Sequence, residues 1–254
     1  MGIAVGDYNN DSNIDIFVTN FAYEYNNLYR CEFSSSNNLF YFDDTNTAKL
    51  GDPSFLYVGW GTTFFDFDND GDLDLFVANG HIMNDSELKS DQLTYAQPDQ
   101  LFENQLIQRK DAYFIDISGK SGKYFSQRYV GRGAAHLDYD NDGDLDLLIS
   151  NSGQSPILLR NNGGNQKNWL AITLVGQAIG AKLKIQSGGQ TQIRQVESSG
   201  SYCSVNDPRV YFGIGSAKVI NQLEIWWNKD HSQTLINIRA NQHLVIFQKS
   251  SNVD

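Results

Sequence analysis

A strongly acidic segment of nine residues occurs twice in this chain, as DFDNDGDLD at residues 66–74 and as DYDNDGDLD at residues 138–146. A weaker copy, DYNNDSNID, occupies residues 7–15. Two carboxylates about 5 Å apart repel by roughly 3 kcal/mol at an effective dielectric constant near 20. Because 13 of the 30 acidic residues lie in these three windows, the net charge of −11 is concentrated locally and predicts a local counter-ion.

The spacing of the carboxylates indicates which ion this is. Side-chain oxygens recur at positions one, three, five, seven and nine of the window, and glycine at position six of the two stronger copies permits a sharp turn. Oxygens converging in a tight loop suit Ca²⁺, which takes six to eight of them, better than Mg²⁺, which keeps several waters. The predicted ligands are Asp7, Asn9, Asp11, Asn13, Asp15, Asp66, Asp68, Asp70, Asp72, Asp74, Asp138, Asp140, Asp142, Asp144 and Asp146.

Up to three Ca²⁺ ions are therefore expected, with the first site weakest. That copy has asparagine at two of the oxygen positions, and Ser12 stands where the other copies have glycine. An EF-hand is excluded because position twelve is Val18, Val77 or Ile149 and not glutamate. A solvated acidic turn without an ion is the alternative, and three copies in matching contexts argue against it.

The acidic windows belong to a longer internal repeat. Residues 58–79 and 130–151 align throughout, residues 2–20 align with them, and the windows start 59 and 72 residues apart. Alternating apolar residues after each window predict strands. Each unit reads as strand, acidic loop and three further strands, the third unit lacking its last strand, which is typical of propeller blades. We therefore predict an all-β chain with a partial β-propeller of about three blades in residues 1–165.

The repeat resembles the FG-GAP/VCBS repeats of β-propellers, which are known from integrin α-subunits and many bacterial surface proteins. The segment GWGTTFFDFDNDGDLDLFVANG carries this resemblance. It implies blades whose calcium loops project from a rim and stiffen the hairpin.

Residues 166–249 read as a separate unit of short alternating strands, for which a small β-sandwich or barrel is the plain interpretation; residues 250–254 form a tail. The segments NWLAITLVG, VYFGIG and LEIWW resemble an ASPIC/UnbV domain. FG-GAP/VCBS repeats followed by this domain are the layout of the cartilage acidic protein family. That resemblance implies an extracellular, cell-surface or periplasmic protein that binds calcium and is not known as an enzyme.

Alignment of the first repeat with the second places the start of the chain inside a strand. Three blades are too few to close a ring, and an open arc exposes unpaired strand edges. We therefore expect a fragment of a longer protein, or a chain that completes its ring with another subunit and self-associates through these edges.

Other features exclude several classes of function. The acidic charge disfavours nucleic acid and anionic membranes as partners. No apolar run is long enough to span a bilayer, no signal peptide is visible, and two scattered cysteines, Cys31 and Cys203, are more often free thiols than a disulfide. The sequence has no GxSxG, HExxH or P-loop motif.

A few isolated residues leave alternatives open. His136 is expected to face the core or a channel, and His81 could line a pocket. Trp226 and Trp227 are either core or a sugar-stacking platform. The polar residues 80–98 are either an insertion or a binding loop.

The leading functional hypothesis is a non-catalytic, calcium-binding adhesion module that binds a protein or a glycan. The alternatives are an accessory domain of a polysaccharide-acting enzyme and a calcium-rigidified spacer.

Overall fold

The computed structural model describes residues 1–34, 38–84 and 92–249, and the predicted tail at residues 250–254 lies outside this range. The described residues form an all-β protein with five sheets. The first two sheets have four strands each, in sequence order. Their strands are β1 Ile3–Gly6, β2 Asp15–Val18, β3 Asn27–Phe33, β4 Leu39–Asp43, β5 Gly59–Phe65, β6 Asp74–Asn79, β7 Gln100–Asn104 and β8 Phe114–Asp116.

The third sheet has three strands, β9 Gly131–Leu137, β10 Asp146–Asn151 and β11 Gln154–Leu159. In each of these three sheets an acidic loop joins the first two strands, which pair antiparallel up to the loop itself: Gly6 with Asp15, Phe65 with Asp74, and Leu137 with Asp146. The strand order predicted for the three units, including the missing fourth strand of the third, is the observed one.

The last two sheets are interleaved along the chain. The fourth contains β12 Asn168–Val175, β15 Val210–Gly215 and β18 Gln242–Phe247, with β18 parallel to β12. The fifth contains β13 Lys182–Ser187, β14 Gln190–Gln195, β16 Val219–Asn228 and β17 His231–Arg239.

The five sheets pack face against face in succession. One apolar cluster joins sheets one and two, a second joins sheets two and three, and a third joins sheets four and five. Ala171 and Tyr211, on the other face of sheet four, pack into the cluster of sheets two and three. Strands β1, β5, β9, β14 and β15 border one central cavity, so the sheets are the five blades of a β-propeller.

The predicted count of about three blades was therefore wrong. The prediction counted only units with an acidic loop, and the last two blades have none. A separate C-terminal sandwich or barrel is likewise not what the structure shows. The two C-terminal sheets share a core, as adjacent blades do, and sheet four also packs on the preceding blades.

In residues 1–34, 38–84 and 92–249, helical structure is confined to short connections. These are α1 Gly51–Ser54, α2 Leu106–Arg109 and three 3-10 turns at Ser118–Lys120, Lys123–Ser126 and Gly164–Gln166. Within the described residues, none of the helices has the length and apolarity that a membrane crossing needs. Both cysteines are free thiols, Cys31 buried and Cys203 exposed.

Candidate metal centre

The first aspartate of each acidic loop organises the loop around its carboxylate. In the second loop, Asp66 Oδ1 accepts the amide hydrogen of Asp70 at 3.1 Å and Oδ2 accepts that of Gly71 at 3.0 Å. The same pairs occur in the other two loops. Asp7 accepts the amide hydrogens of Asp11 and Ser12, and Asp138 accepts those of Asp142 and Gly143. The carboxyl groups are thus held in place by the backbone.

The ninth residue of each loop ties the loop to the neighbouring strand. Asp74 is 1 % exposed, and its two oxygens accept amide hydrogens from Phe67 at 3.1 Å and from Asn104 at 2.9 Å. Asp15 and Asp146 are also buried. Asp15 accepts the amide hydrogens of Tyr8 and Cys31, and Asp146 accepts those of Tyr139 and Asn161. The sequence predicted this position only as a metal ligand, whereas the structure also gives it this cross-linking role.

The asparagine at position four connects successive loops, a role that the sequence analysis missed. Asn10 donates its side-chain amide to the carbonyl of Gly71 at 3.0 Å, and Asn69 donates to that of Gly143 at 2.9 Å. Both asparagines have left-handed backbone conformations, with φ of 54° and 55°, which asparagine adopts more readily than most residues. Its recurrence at position four in all three copies was the available signal.

Two of the three loops bring carboxylate oxygens together. In the second loop Asp66, Asp68 and Asp74 each offer an oxygen within 4.8 Å of the others, and in the third loop Asp138, Asp140 and Asp146 do the same. Among the described residues the first loop forms no such group. Its Asp11 carboxylate instead accepts a hydrogen bond from the Asn9 side chain at 3.0 Å.

Each of the two stronger loops also contains a buried oxygen without a hydrogen-bond partner among the described residues. These atoms are Oδ1 of Asp72 and Oδ1 of Asp144, both at position seven. A buried carboxylate oxygen left unpaired is costly. The unpaired oxygens and the converging carboxylates fit a hard divalent cation with oxygen ligands.

Electrostatics in the second loop disfavour full ionisation without a cation. Burial, followed by the charge of Asp70, raises the pKa of Asp66 to about 8 and that of Asp72 to about 9. Burial and Asp72 raise the pKa of Asp74 well above its ordinary range. In the third loop, burial raises the pKa of Asp144 to about 6. The second loop therefore gains most from a divalent cation.

A basic side chain lies against each of these two carboxylate groups. Lys167 Nζ is 2.6 Å from Asp68 Oδ2 and 3.5 Å from Asp70 Oδ2. A guanidinium nitrogen of Arg160 is 3.0 Å from Asp140 and 3.6 Å from Asp142. The carboxylates at positions three and five of both loops thus lie beside a positively charged side chain, Lys167 or Arg160.

We expect Lys167→Met to strengthen calcium binding at the second loop by about three- to tenfold, because a positive charge beside the carboxylates is removed. Isothermal titration calorimetry of this variant and of the parent measures the change. Lys229→Met, which removes an exposed lysine from the last blade, is the matched control. A weaker binding constant for Lys167→Met would show instead that the lysine orients Asp68.

The isolated residues singled out from the sequence have defined surroundings. His136 lines the central cavity, and His81 is buried against Phe21, with its Nδ1 accepting the amide hydrogen of Met83. Trp227 belongs to the core of the last two blades, while Trp226 is 36 % exposed.

The polar segment 80–98 is only partly described. Gly80 forms an isolated bridge with Ala96, so the two ends of the segment meet, and the part at residues 85–91 lies outside the described residues.

Fold and site together define a five-bladed β-propeller with two carboxylate clusters suited to a metal ion. Residues 175–253 match the family described as ASPIC and UnbV. The chain is also similar to proteins called cartilage acidic protein 1, with 26 % identity over 239 residues to that of Xenopus tropicalis and 27 % over 237 residues to those of Mus musculus and Homo sapiens. Each match covers 89 % of this chain and 32 or 33 % of the relative, so the chain spans about a third of the length of these relatives.

Proposed function

We propose that this protein is a non-catalytic, extracellular calcium-binding module that presents a rigid propeller surface to a protein or glycan. In this proposal Ca²⁺ occupies the second and third acidic loops, and the first loop binds it more weakly. The observation that carries the proposal is the pair of carboxylate clusters, Asp66, Asp68 and Asp74 and Asp138, Asp140 and Asp146.

The loop geometry favours Ca²⁺ over Mg²⁺. Position-seven aspartate oxygens are buried and unpaired beside each cluster, and each loop has one more carboxylate at position five, which lies 3.5 or 3.6 Å from Lys167 or Arg160. Ca²⁺ accepts six to eight such ligands in flexible arrangements, while Mg²⁺ demands a near-ideal octahedron and keeps its waters. In this proposal the three acidic hairpins are FG-GAP/VCBS-type repeats.

A non-catalytic role is supported by how the titratable groups are engaged. The oxygens of Asp66 and Asp74 accept backbone hydrogen bonds, and a carboxylate that also holds a metal ion is a poor proton carrier. Burial lowers the pKa of His136 to about 4, so this imidazole is neutral at physiological pH. The extracellular setting is supported by the similarity to the cartilage acidic proteins.

Calcium titration followed by calorimetry and thermal melting tests the proposal. The parent chain is expected to bind at least two Ca²⁺ ions and to melt at a higher temperature in millimolar Ca²⁺, because a ligand held only by the native state stabilises it. Asp70→Ala and Asp142→Ala should each reduce this rise, and Asp11→Ala should reduce it less. Identical calcium responses of the parent and all three variants would contradict the assignment.

Recognition and turnover are separated by a second experiment. A glycan array and a panel of polysaccharide hydrolase substrates are each tested in Ca²⁺ and in EDTA. If the chain is a non-catalytic module, no substrate should be hydrolysed, and any glycan binding should be lost in EDTA. Calcium-dependent hydrolysis by the purified chain would overturn the non-catalytic assignment.

A further inference from the structure

The inner strands of the propeller border a cavity of about 640 Å³, to whose lining the acidic loops contribute Ile14, Asp66, Leu73 and Leu145. Strands β1, β5, β9, β14 and β15 all contribute to its wall. This volume is in the range of small-molecule sites, which are mostly apolar with a few well-placed polar groups.

One positively charged side chain in the wall, Arg194, has no described carboxylate in contact. Arg194 on β14 donates to two neutral acceptors, from Nη1 to the Ile193 carbonyl at 3.0 Å and from Nη2 to Gln192 Oε1 at 3.2 Å. Its guanidinium lies 5.6 Å from the centre of the Phe212 ring. No salt bridge to Arg194 within 4.0 Å occurs among the residues that the structure describes, so part of its five-donor fork remains available.

The nearest acidic groups are already engaged elsewhere. Asp66, Asp7 and Asp72 are close enough to stabilise the charge of Arg194. Both oxygens of Asp66 and of Asp7, however, accept amide hydrogens of their own loop, and Asp72 Oδ2 accepts the amide hydrogen of Ile107. Two further carboxylates border the cavity: Asp207 forms an ion pair with Arg209, and Glu197 has no salt bridge within 4.0 Å among the described residues.

The remaining wall offers neutral hydrogen-bonding groups and apolar surface. His136 Nδ1 and Thr63 Oγ1 are hydrogen-bonded to each other at 2.7 Å, which leaves the other ring nitrogen of His136 unassigned. Ile14, Ile193 and Val196 supply apolar surface.

A segment after β14 helps to enclose the cavity. Ser201 Oγ accepts the amide hydrogen of Thr62 at 3.1 Å, and Asn206 Oδ1 accepts that of His136 at 3.2 Å. Both residues border the cavity. These bonds fix the segment to β5 and β9, so the wall is assembled from strands of different blades before any ligand arrives.

We propose that this cavity binds a small organic carboxylate, with Arg194 as its counter-charge and the apolar residues of the wall in contact with its hydrocarbon part. A guanidinium pairs with a carboxylate through two parallel hydrogen bonds, which are about twice as strong as neutral ones. The proposal does not rest on calcium, because Arg194, Ile193 and Val196 lie outside the acidic loops and only Ile14 of the named apolar residues belongs to one.

Three probes of equal chain length test the charge requirement on the parent chain: hexanoate, hexanamide and hexylamine. We expect hexanoate to bind at least about tenfold more tightly than hexanamide, and hexylamine not to bind. The comparison is made by calorimetry in both Ca²⁺ and EDTA. Equal affinities for hexanoate and hexanamide would overturn the proposal, whatever the calcium titrations show.

Substitutions of Arg194 then test its role in hexanoate binding. Arg194→Gln should weaken hexanoate binding by at least about tenfold, Arg194→Lys should retain part of it, and Arg239→Gln, at an exposed arginine of β17, should leave it unchanged. Unchanged binding by a folded Arg194→Gln would refute the role of Arg194. Should this variant fail to fold, Arg194→Lys and the probe comparison on the parent still decide the outcome.

Discussion

In EDTA, the free energy of unfolding is expected to fall by at least about 3 kcal/mol between pH 5 and pH 9. Burial raises the pKa of Asp66 to about 8, of Asp72 to about 9 and of Asp15 to about 7, from the ordinary value of 3.8. A group whose folded pKa exceeds its unfolded pKa favours the folded state at low pH. That contribution is lost as the pH rises through the folded pKa, because the folded protein must then ionise buried carboxyl groups.

Calcium should reverse this dependence. Deprotonated carboxylates bind Ca²⁺ and protonated ones do not, so the stabilisation by 5 mM Ca²⁺ should grow from pH 5 to pH 9. Urea unfolding at several pH values, with EDTA or with Ca²⁺, measures both trends, and Mg²⁺ at the same concentration serves as the control ion. A metal-free protein that becomes more stable as the pH rises would refute the prediction.

Asp74→Ala is expected to destabilise the metal-free protein by about 3 kcal/mol. The substitution leaves the buried amide of Asn104 and the partly buried amide of Phe67 without their acceptor, and an unsatisfied buried donor costs about 1–3 kcal/mol. The effect should appear in EDTA, since it arises from hydrogen bonds between the loop and the next strand and not from a bound ion.

Asp68→Ala is the matched control for this substitution. It removes an acidic side chain from the same loop, but the Asp68 carboxylate is 25 % exposed and pairs with Lys167 at the surface. In EDTA we expect Asp68→Ala to change the free energy of unfolding by less than about 1 kcal/mol. Urea unfolding of both variants gives the comparison, and equal losses would mean that the position-nine hydrogen bonds contribute little.

The three acidic hairpins could be predicted from the sequence because their signals are local. Strand alternation after Asp66–Asp74 and Asp138–Asp146 fixed the hairpins, and the alternate carboxylates marked the loops. The absence of a fourth strand in the third unit could also be predicted, because the sequence has no apolar run between residue 160 and β12.

The last two blades could not be predicted from the same signals. They have no acidic loop, and β12 pairs with β15 and β18, which lie tens of residues away along the chain. Pairing between strands that are distant along the chain produces no periodic pattern in the sequence. The hydrogen bonds of Asn10 and Asn69 were also missed. The recurrence of asparagine at position four marked these residues, but their partners are carbonyls of the following blade, which the repeat does not indicate.

The interleaving of the last two blades has a consequence for biosynthesis. The first three blades each use a contiguous stretch of chain, so each can form as soon as its own strands have left the ribosome. The fourth blade needs β18, at residues 242–247, beside β12, at residues 168–175, and the fifth blade lies between them in sequence. Because such distant pairings form slowly, these two blades should close together and later than the first three, once β18 has been synthesised.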